Sequence, residues 1–185
     1  MGASHAGKLL VATPAITDPN FHRTVVLLCT HDEDGAFGLV LNRPIEGAKV
    51  VDHVPQWSEH AAAPAVMFRG GPVEPSAGFA LGLVDRLPEG VPWSPVLEGL
   101  ALLNLNGTPE DLGGCLVECR LFAGYSGWSP GQLEGEIDGG GWFVVDAEPA
   151  DPFAGDPAGL WRAVLARQTG ETRLYSYFPL DPRVN

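Results

Sequence analysis

Arg43 and Arg69 each end an apolar run beside a tight turn, in Asn42-Arg43-Pro44 and Arg69-Gly70-Gly71. Loops at strand ends are where binding groups usually sit. Together with Arg23 and Asn42, two guanidiniums and the backbone N–H groups of Gly70 and Gly71 could hold a carboxylate or phosphate through paired hydrogen bonds. The same residue types also have a purely structural use, each arginine tying a turn carbonyl or pairing with one of the chain's many acids. A second set lies in Gly124-Tyr125-Ser126-Gly127-Trp128, whose aromatic pair offers either core packing or a platform for a ligand or peptide. The candidate ligand-binding residues are therefore Arg23, Asn42, Arg43, Arg69, Gly70, Gly71, Tyr125 and Trp128.

The usual catalytic signatures do not occur. His5, His22, His31, His53 and His60 all lie in the first third of the chain, without the His-Glu-x-x-His spacing that places two ligands on one helix face. Ser126 has glycine directly after it, so it is not the nucleophile elbow of a hydrolase, and only a tertiary contact could bring it His22 or His31 as a base. Gly70-Gly71-Pro72 lacks the spacing of a phosphate-cradling loop. Cys29 lies in the apolar run 25–29 and reads as core. Cys115 and Cys119, four apart, fall on one face of a strand or helix, but no further Cys or His stands near to complete a metal set. No catalytic residue, metal ligand or cofactor is assigned.

The elements that must position these groups are short. Runs 8–13, 23–31 and 36–42 read as strands, the last two joined by the hairpin turn Asp32-Glu33-Asp34-Gly35. Runs 65–68, 77–84, 100–105, 115–122 and 142–145 read as further strands. Residues 48–54 offer a helical turn or two, and Thr108-Pro109-Glu110-Asp111 a helix start that stops at Gly113-Gly114. The segment Gly124-Tyr125-Ser126-Gly127-Trp128 reads as a loop, its two glycines supplying backbone angles closed to other residues. Ser129 then caps a short helix, with Pro130 at its first position and Gln132 completing a capping box. Asp156-Pro157 opens the longest helix, 158–168, with Leu160, Trp161, Val164 and Leu165 at core spacing and Gly170 as its stop. Strands joined by tight turns, with helices late, predict an α+β fold on an antiparallel sheet.

A chain of 185 residues with 45% hydrophobic content is most simply one domain, 1–185, with an ordinary core. Its formal net charge is -12, and Lys8 and Lys49 are its only lysines. Such a surface repels phosphate backbones, which argues against nucleic-acid binding. Between Tyr125 and Leu160 there are seven acids and no Lys or Arg, a solvated face or a docking surface for a basic partner. No stretch approaches the ~20 apolar residues that span a bilayer, and no signal peptide is read at the start. A cytoplasmic protein without membrane contact is expected.

Several landmarks occur together: Leu9-Leu10-Val11-Ala12, Asp18-Pro19-Asn20-Phe21, Gly38-Leu39-Val40-Leu41-Asn42-Arg43-Pro44, and Gly70-Gly71-Pro72-Val73. Gly124-Tyr125-Ser126-Gly127-Trp128 follows with Gly131-Gln132-Leu133-Glu134, and the chain ends Asp181-Pro182-Arg183-Val184-Asn185. In this order the sequence resembles the YqgE/AlgH family of bacterial proteins over nearly its whole length. The resemblance implies one compact α+β domain with a curved, partly barrel-like, mainly antiparallel sheet and peripheral helices. It brings no catalytic residues with it; the family is largely uncharacterised, and some members carry a transcriptional-regulator label. The chain departs from typical members between Val84 and Gly99, where Pro88, Pro92 and Pro95 make a rigid loop, and at Gly139-Gly140-Gly141.

The expectation is a non-enzymatic binding or regulatory protein acting through a small anionic ligand or a protein partner at the arginine and tyrosine loops. An enzyme of unrecognised class using the same loops, such as a hydrolase, is the alternative. A transcriptional regulator, acting indirectly or on DNA, is the third.

Overall fold

The computed structural model describes residues 3–180. Its strands are β1 (Lys8–Ala12), β2 (Val25–Asp32), β3 (Gly35–Val40), β4 (Pro44–Lys49), β5 (Val66–Arg69), β6 (Val73–Val84), β7 (Trp93–Leu97), β8 (Leu100–Asn104), β9 (Leu116–Trp128) and β10 (Trp142–Asp146). Four short α-helices accompany them: α1 (Val50–His53), α2 (Gln132–Asp138), α3 (Leu160–Ala166) and α4 (Gly170–Leu174). The strands pair in the order β10-β1-β2-β3-β9-β6-β8-β7, with β5 beside β9 and β4 beside β5. Every pairing is antiparallel except β5 with β9. The path does not return to its start, so the α+β architecture is an open sheet and not a closed barrel.

Its curvature follows from what the side chains meet. Leu9, Val11 and Leu27, from one half of the sheet, share a core cluster with Leu81 and Leu100 from the other half. A flat sheet would hold those residues too far apart, so the two halves fold toward each other over a common interior. Helix α3 closes that interior with Leu160, Trp161, Val164 and Leu165, and the Trp161 indole donates to the Ala12 carbonyl at 2.9 Å. The alternate residues Leu10, Ala12, Val26 and Leu28 face a different cluster. Both faces of β1 and β2 are thus covered, which is why their sequences are continuous apolar runs and not alternating ones.

Strand β9 is the spine. Its first part pairs with β6, two of its middle residues with β5 and its last three with β3. The segment Gly124-Tyr125-Ser126-Gly127-Trp128 is therefore strand, not the loop its composition predicts. Neighbours hold it extended: Tyr125 pairs with Val73, Ser126 with Gly38 and Trp128 with Ala36. Its glycines serve close approach as well as conformation. Gly124 has φ 74°, and a Cβ on Gly70 would stand 2.3 Å from its carbonyl oxygen. Gly127 is not left-handed, contrary to the loop expectation.

Other expectations shift at element ends. Gly131, with φ 77°, takes the N-cap of α2, while Ser129 keeps half of the predicted capping box by donating its N–H to the Gln132 side chain at 3.1 Å. The helix expected over 158–168 is shorter: a 3-10 turn at Pro157–Gly159 leads into α3, and Gly170 opens α4 instead of ending a helix. A 3-10 turn, Tyr175–Tyr177, follows α4. Two strands carry no local strand signal. Pro44 opens β4 on an edge, and the proline-rich stretch after Val84 contains β7, where Pro95 sits on the outermost strand and needs no ladder N–H. The ending 181–185 lies outside the described residues.

Candidate functional site

Arg120 shows how this fold normally treats a guanidinium. It is 1% exposed on β9, and its fork donates to five carbonyls: Pro152 at 3.0 Å, Ala62 at 2.8 Å, Pro64 at 2.8 Å, Ala63 at 3.0 Å and Ala154 at 3.3 Å. It also lies 4.2 Å over the Phe68 ring, and burial pushes its pKa down to about 10. All the donors an arginine has are used, so Arg120 is wiring. It stands in the strand sequence Glu118-Cys119-Arg120-Leu121-Phe122, where no local signal marks it as buried.

Arg23 and Asn42 also make hydrogen bonds within the fold. Arg23 has φ 54°, lies 4.3 Å over the Trp161 ring, and donates to the Phe178 and Pro179 carbonyls. Burial, then the charge of Arg162, holds its pKa below the ordinary arginine value. The Asn42 amide clamps the start of β2, accepting from the Val25 N–H at 3.0 Å and donating to the Arg23 carbonyl at 2.9 Å. The N–H of Gly70 is also committed, to the Ala123 carbonyl at 3.0 Å, and its own carbonyl accepts from Val40 and from the Ser126 hydroxyl. Ser126 is thereby fully buried as a strand-to-strand tie.

Arg43 and Arg69 differ. Pairing of β4 with β5 puts them side by side, the Arg69 N–H donating to the Arg43 carbonyl at 2.8 Å. Both side chains line one cleft of about 450 Å³, with Asn20, Glu46, Gly71 and Pro72 among its other walls. Arg69 is exposed, and its guanidinium has no hydrogen-bond or ion-pair partner among the described residues. Arg43 is half-buried; one of its nitrogens donates to the His22 carbonyl, and burial holds its pKa below the ordinary value. No carboxylate neutralises either one, although Glu46 reaches the same cleft from an exposed position. The cleft can accept an anion between two guanidiniums, one of them partly desolvated.

Tyr125 and Trp128 are not on this cleft. The Tyr125 ring packs 4.9 Å from Phe37 and 5.9 Å from Phe79. Trp128 is 6% exposed and donates its indole N–H to Glu136 at 2.9 Å. Of the predicted set, Arg43, Arg69 and Gly71 line this cleft, and Arg23, Asn42, Gly70, Tyr125 and Trp128 do not. Asn20 and Glu46 are the members that sequence reasoning missed; Asn20 lay in a recognised motif, and Glu46 carried no signal.

Two further groups of polar side chains are paired away from the clefts. His31 is clamped between the His5 N–H at its Nδ1, 3.0 Å away, and Glu134 at its Nε2, 2.9 Å away. Asp151 takes Arg167 in a two-point pair at 2.6 and 2.7 Å. Cys29, Cys115 and Cys119 are buried free thiols, and among the described residues no group of three His, Cys, Asp or Glu could hold a metal. Among them, too, no helix is long and apolar enough to cross a membrane.

Comparison with known proteins places this geometry in context. Residues 9–173 match the family model described as AlgH-like. A UPF0301 protein of Streptomyces coelicolor is 44% identical over 189 residues, covering 99% of this chain and 96% of the relative. A UPF0301 protein of Mycobacterium tuberculosis is 42% identical over 179 residues, covering 95% and 88%. Among solved structures, a protein from Corynebacterium diphtheriae superposes with a TM-score of 0.85 at 31% identity, covering 96% of this chain and 94% of that one. The solution structure of the AlgH protein from Pseudomonas aeruginosa superposes with a TM-score of 0.68 at 29% identity, covering 97% and 96%.

Proposed function

The chain belongs to the AlgH-like family, and from that premise we propose that it is a cytoplasmic, non-enzymatic binding module whose β4–β5 cleft takes a small anion such as a carboxylate or phosphate. One observation carries the reading: two guanidiniums line a single cleft and neither has a carboxylate partner among the described residues. Among the described residues only Arg167 of the arginines holds a carboxylate, so what sets Arg43 and Arg69 apart is that they share one cleft. Partial burial strengthens what Arg43 can offer, because a desolvated guanidinium binds an oxyanion more strongly than one in water. Glu46 on the rim opposes the anion and sets a limit on its charge. A regulatory role follows if occupancy alters the exposed β4 edge, which would then communicate with a protein partner.

Calorimetric titration with inorganic phosphate and with succinate tests the reading. Either anion should bind saturably. Arg43→Ala and Arg69→Ala should each weaken it about tenfold or more, as loss of a charge-assisted contact does. Glu46→Gln should tighten it. Denaturant unfolding of the same variants should show a cost of about 1 kcal/mol or less for the arginines, against ~3–5 kcal/mol for Trp128→Ala in the core. Arginine changes that cost as much as the tryptophan change, or that leave anion binding intact, would reduce the cleft to structural wiring.

A further inference from the structure

Trp128 lies on a second cleft, of about 560 Å³, walled by Phe21 and Trp142 as well, with Thr17, Asp18, Gln132 and Glu136 as its polar side chains. Trp142 stands nearly perpendicular to Phe21, at 81° and 5.7 Å between ring centroids, and to Trp128, at 79° and 6.2 Å. Phe21 and Trp128 are tilted by only 36° at 6.1 Å. The three rings therefore form a corner and not a stack. Glu136 holds it in place: its Oε2 accepts both indole N–H groups, each at 2.9 Å, and its Oε1 accepts from the Gln132 amide at 3.0 Å. Only neutral donors hold this carboxylate. No lysine, arginine or histidine lines the cleft, and among the described residues neither Glu136 nor Asp18 forms an ion pair.

We propose that this aromatic corner is a binding site for a small organic cation, an alkylammonium or quaternary ammonium head. The rings attract a cation through their quadrupoles, and the effect grows when water is excluded. Glu136 and Asp18 add full negative charges that the protein itself leaves without a cation. The overall charge of -12 raises the local concentration of cations further. A trimethylammonium head suits such a wall better than a metal ion, because it needs no lone-pair ligands and makes apolar contact on every side. The site is separate from the arginine cleft and does not depend on it: in the loop Asp18-Pro19-Asn20-Phe21, Pro19 and Asn20 face the arginines while Asp18 and Phe21 face the rings.

The test pairs choline with 3,3-dimethylbutan-1-ol, its uncharged isostere, at constant ionic strength. Tryptophan fluorescence and the indole N–H resonances of Trp128 and Trp142 are followed. Choline should shift these signals saturably and bind about tenfold or more tighter than the isostere. Glu136→Gln keeps an acceptor of the same size and should weaken choline about tenfold. Phe21→Leu, at a half-buried position, should do the same should Glu136→Gln fail to fold. Nα-acetyl-trimethyllysine amide binding more tightly than choline would identify a protein side chain as the source of the cation; the reverse order would identify a free small molecule. Equal binding of choline and its isostere, no saturable shift, or a folded Glu136→Gln with unchanged choline affinity would overturn the proposal. Phosphate titration of the same samples tests the arginine cleft independently.

Discussion

Cys29 on β2 and Cys119 on β9 have their thiols pushed up to about 12, in both cases first by burial. Both stay neutral in the folded protein at any ordinary pH, whereas the unfolded chain sheds those protons near 9.0. The folded pKa is the raised one, so their contribution to stability is fully present below pH 9.0 and is lost as the pH rises from there toward about 12. By about pH 10 the loss should reach ~1 kcal/mol per thiol, read as a falling urea midpoint. Iodoacetamide at about pH 8 should label neither thiol in the folded protein and both in urea, as mass spectrometry would show. Labelling of native Cys29 or Cys119 at the rate of an exposed thiol would contradict their burial. The same logic separates two arginines: Arg120, with every donor occupied, is structural, and Arg69, exposed and without a partner among the described residues, is available.

At the scale of elements, Arg120 is what joins β9 to the segments 62–64 and 152–154. Two of its five carbonyl partners, those of Ala62 and Pro152, belong to buried residues and have no other donor among the described residues. Arg120→Met should therefore cost ~3 kcal/mol or more in denaturant unfolding, because the lost bonds leave unsatisfied acceptors behind. Arg120→Lys should not restore it, since one ammonium cannot reproduce a planar five-donor fork. A variant within about 1 kcal/mol of the parent would show that water replaces the fork without penalty. The crossing of Gly70-Gly71 over β9 is the other element-scale device. A Cβ on Gly71 would stand 2.2 Å from the Tyr125 carbonyl oxygen, so the approach that sets Arg69 beside Arg43 tolerates no side chain there.

For the whole molecule, charge is the governing quantity. At -12, with only 11 lysines and arginines against 23 acids, the protein lacks the excess of positive charge that duplex binding draws on. Gel-shift assays at ~0.15 M salt should show no sequence-selective binding to duplex DNA. Sub-micromolar selective binding would place the protein among direct regulators and displace the anion reading. The open sheet, bent around one interior and capped by α3, leaves the arginine cleft at the β4–β5 end, while the aromatic cleft is walled in part by the core residues Trp128 and Trp142.

What the sequence determined by itself was the set of apolar runs and most turns. Leu9 to Ala12, Val25 to Cys29 and the Asp32-to-Gly35 hairpin carry their signals locally, because burial of a strand face and a turn's backbone angles depend on neighbouring residues. The ordered motifs also identified the family. Tertiary structure decided the rest. Gly124 to Trp128 became strand because β3 and β6 flank it, although glycine reads locally as a turn. Of the arginines, the sequence could name Arg23, Arg43 and Arg69 but not rank them. Arg23 is spent on a carbonyl 155 residues away, Arg43 on one 21 residues away, and Arg69 on none among the described residues. A guanidinium's availability depends on which distant acceptors the fold brings within hydrogen-bond reach, and no local window of sequence contains that distance.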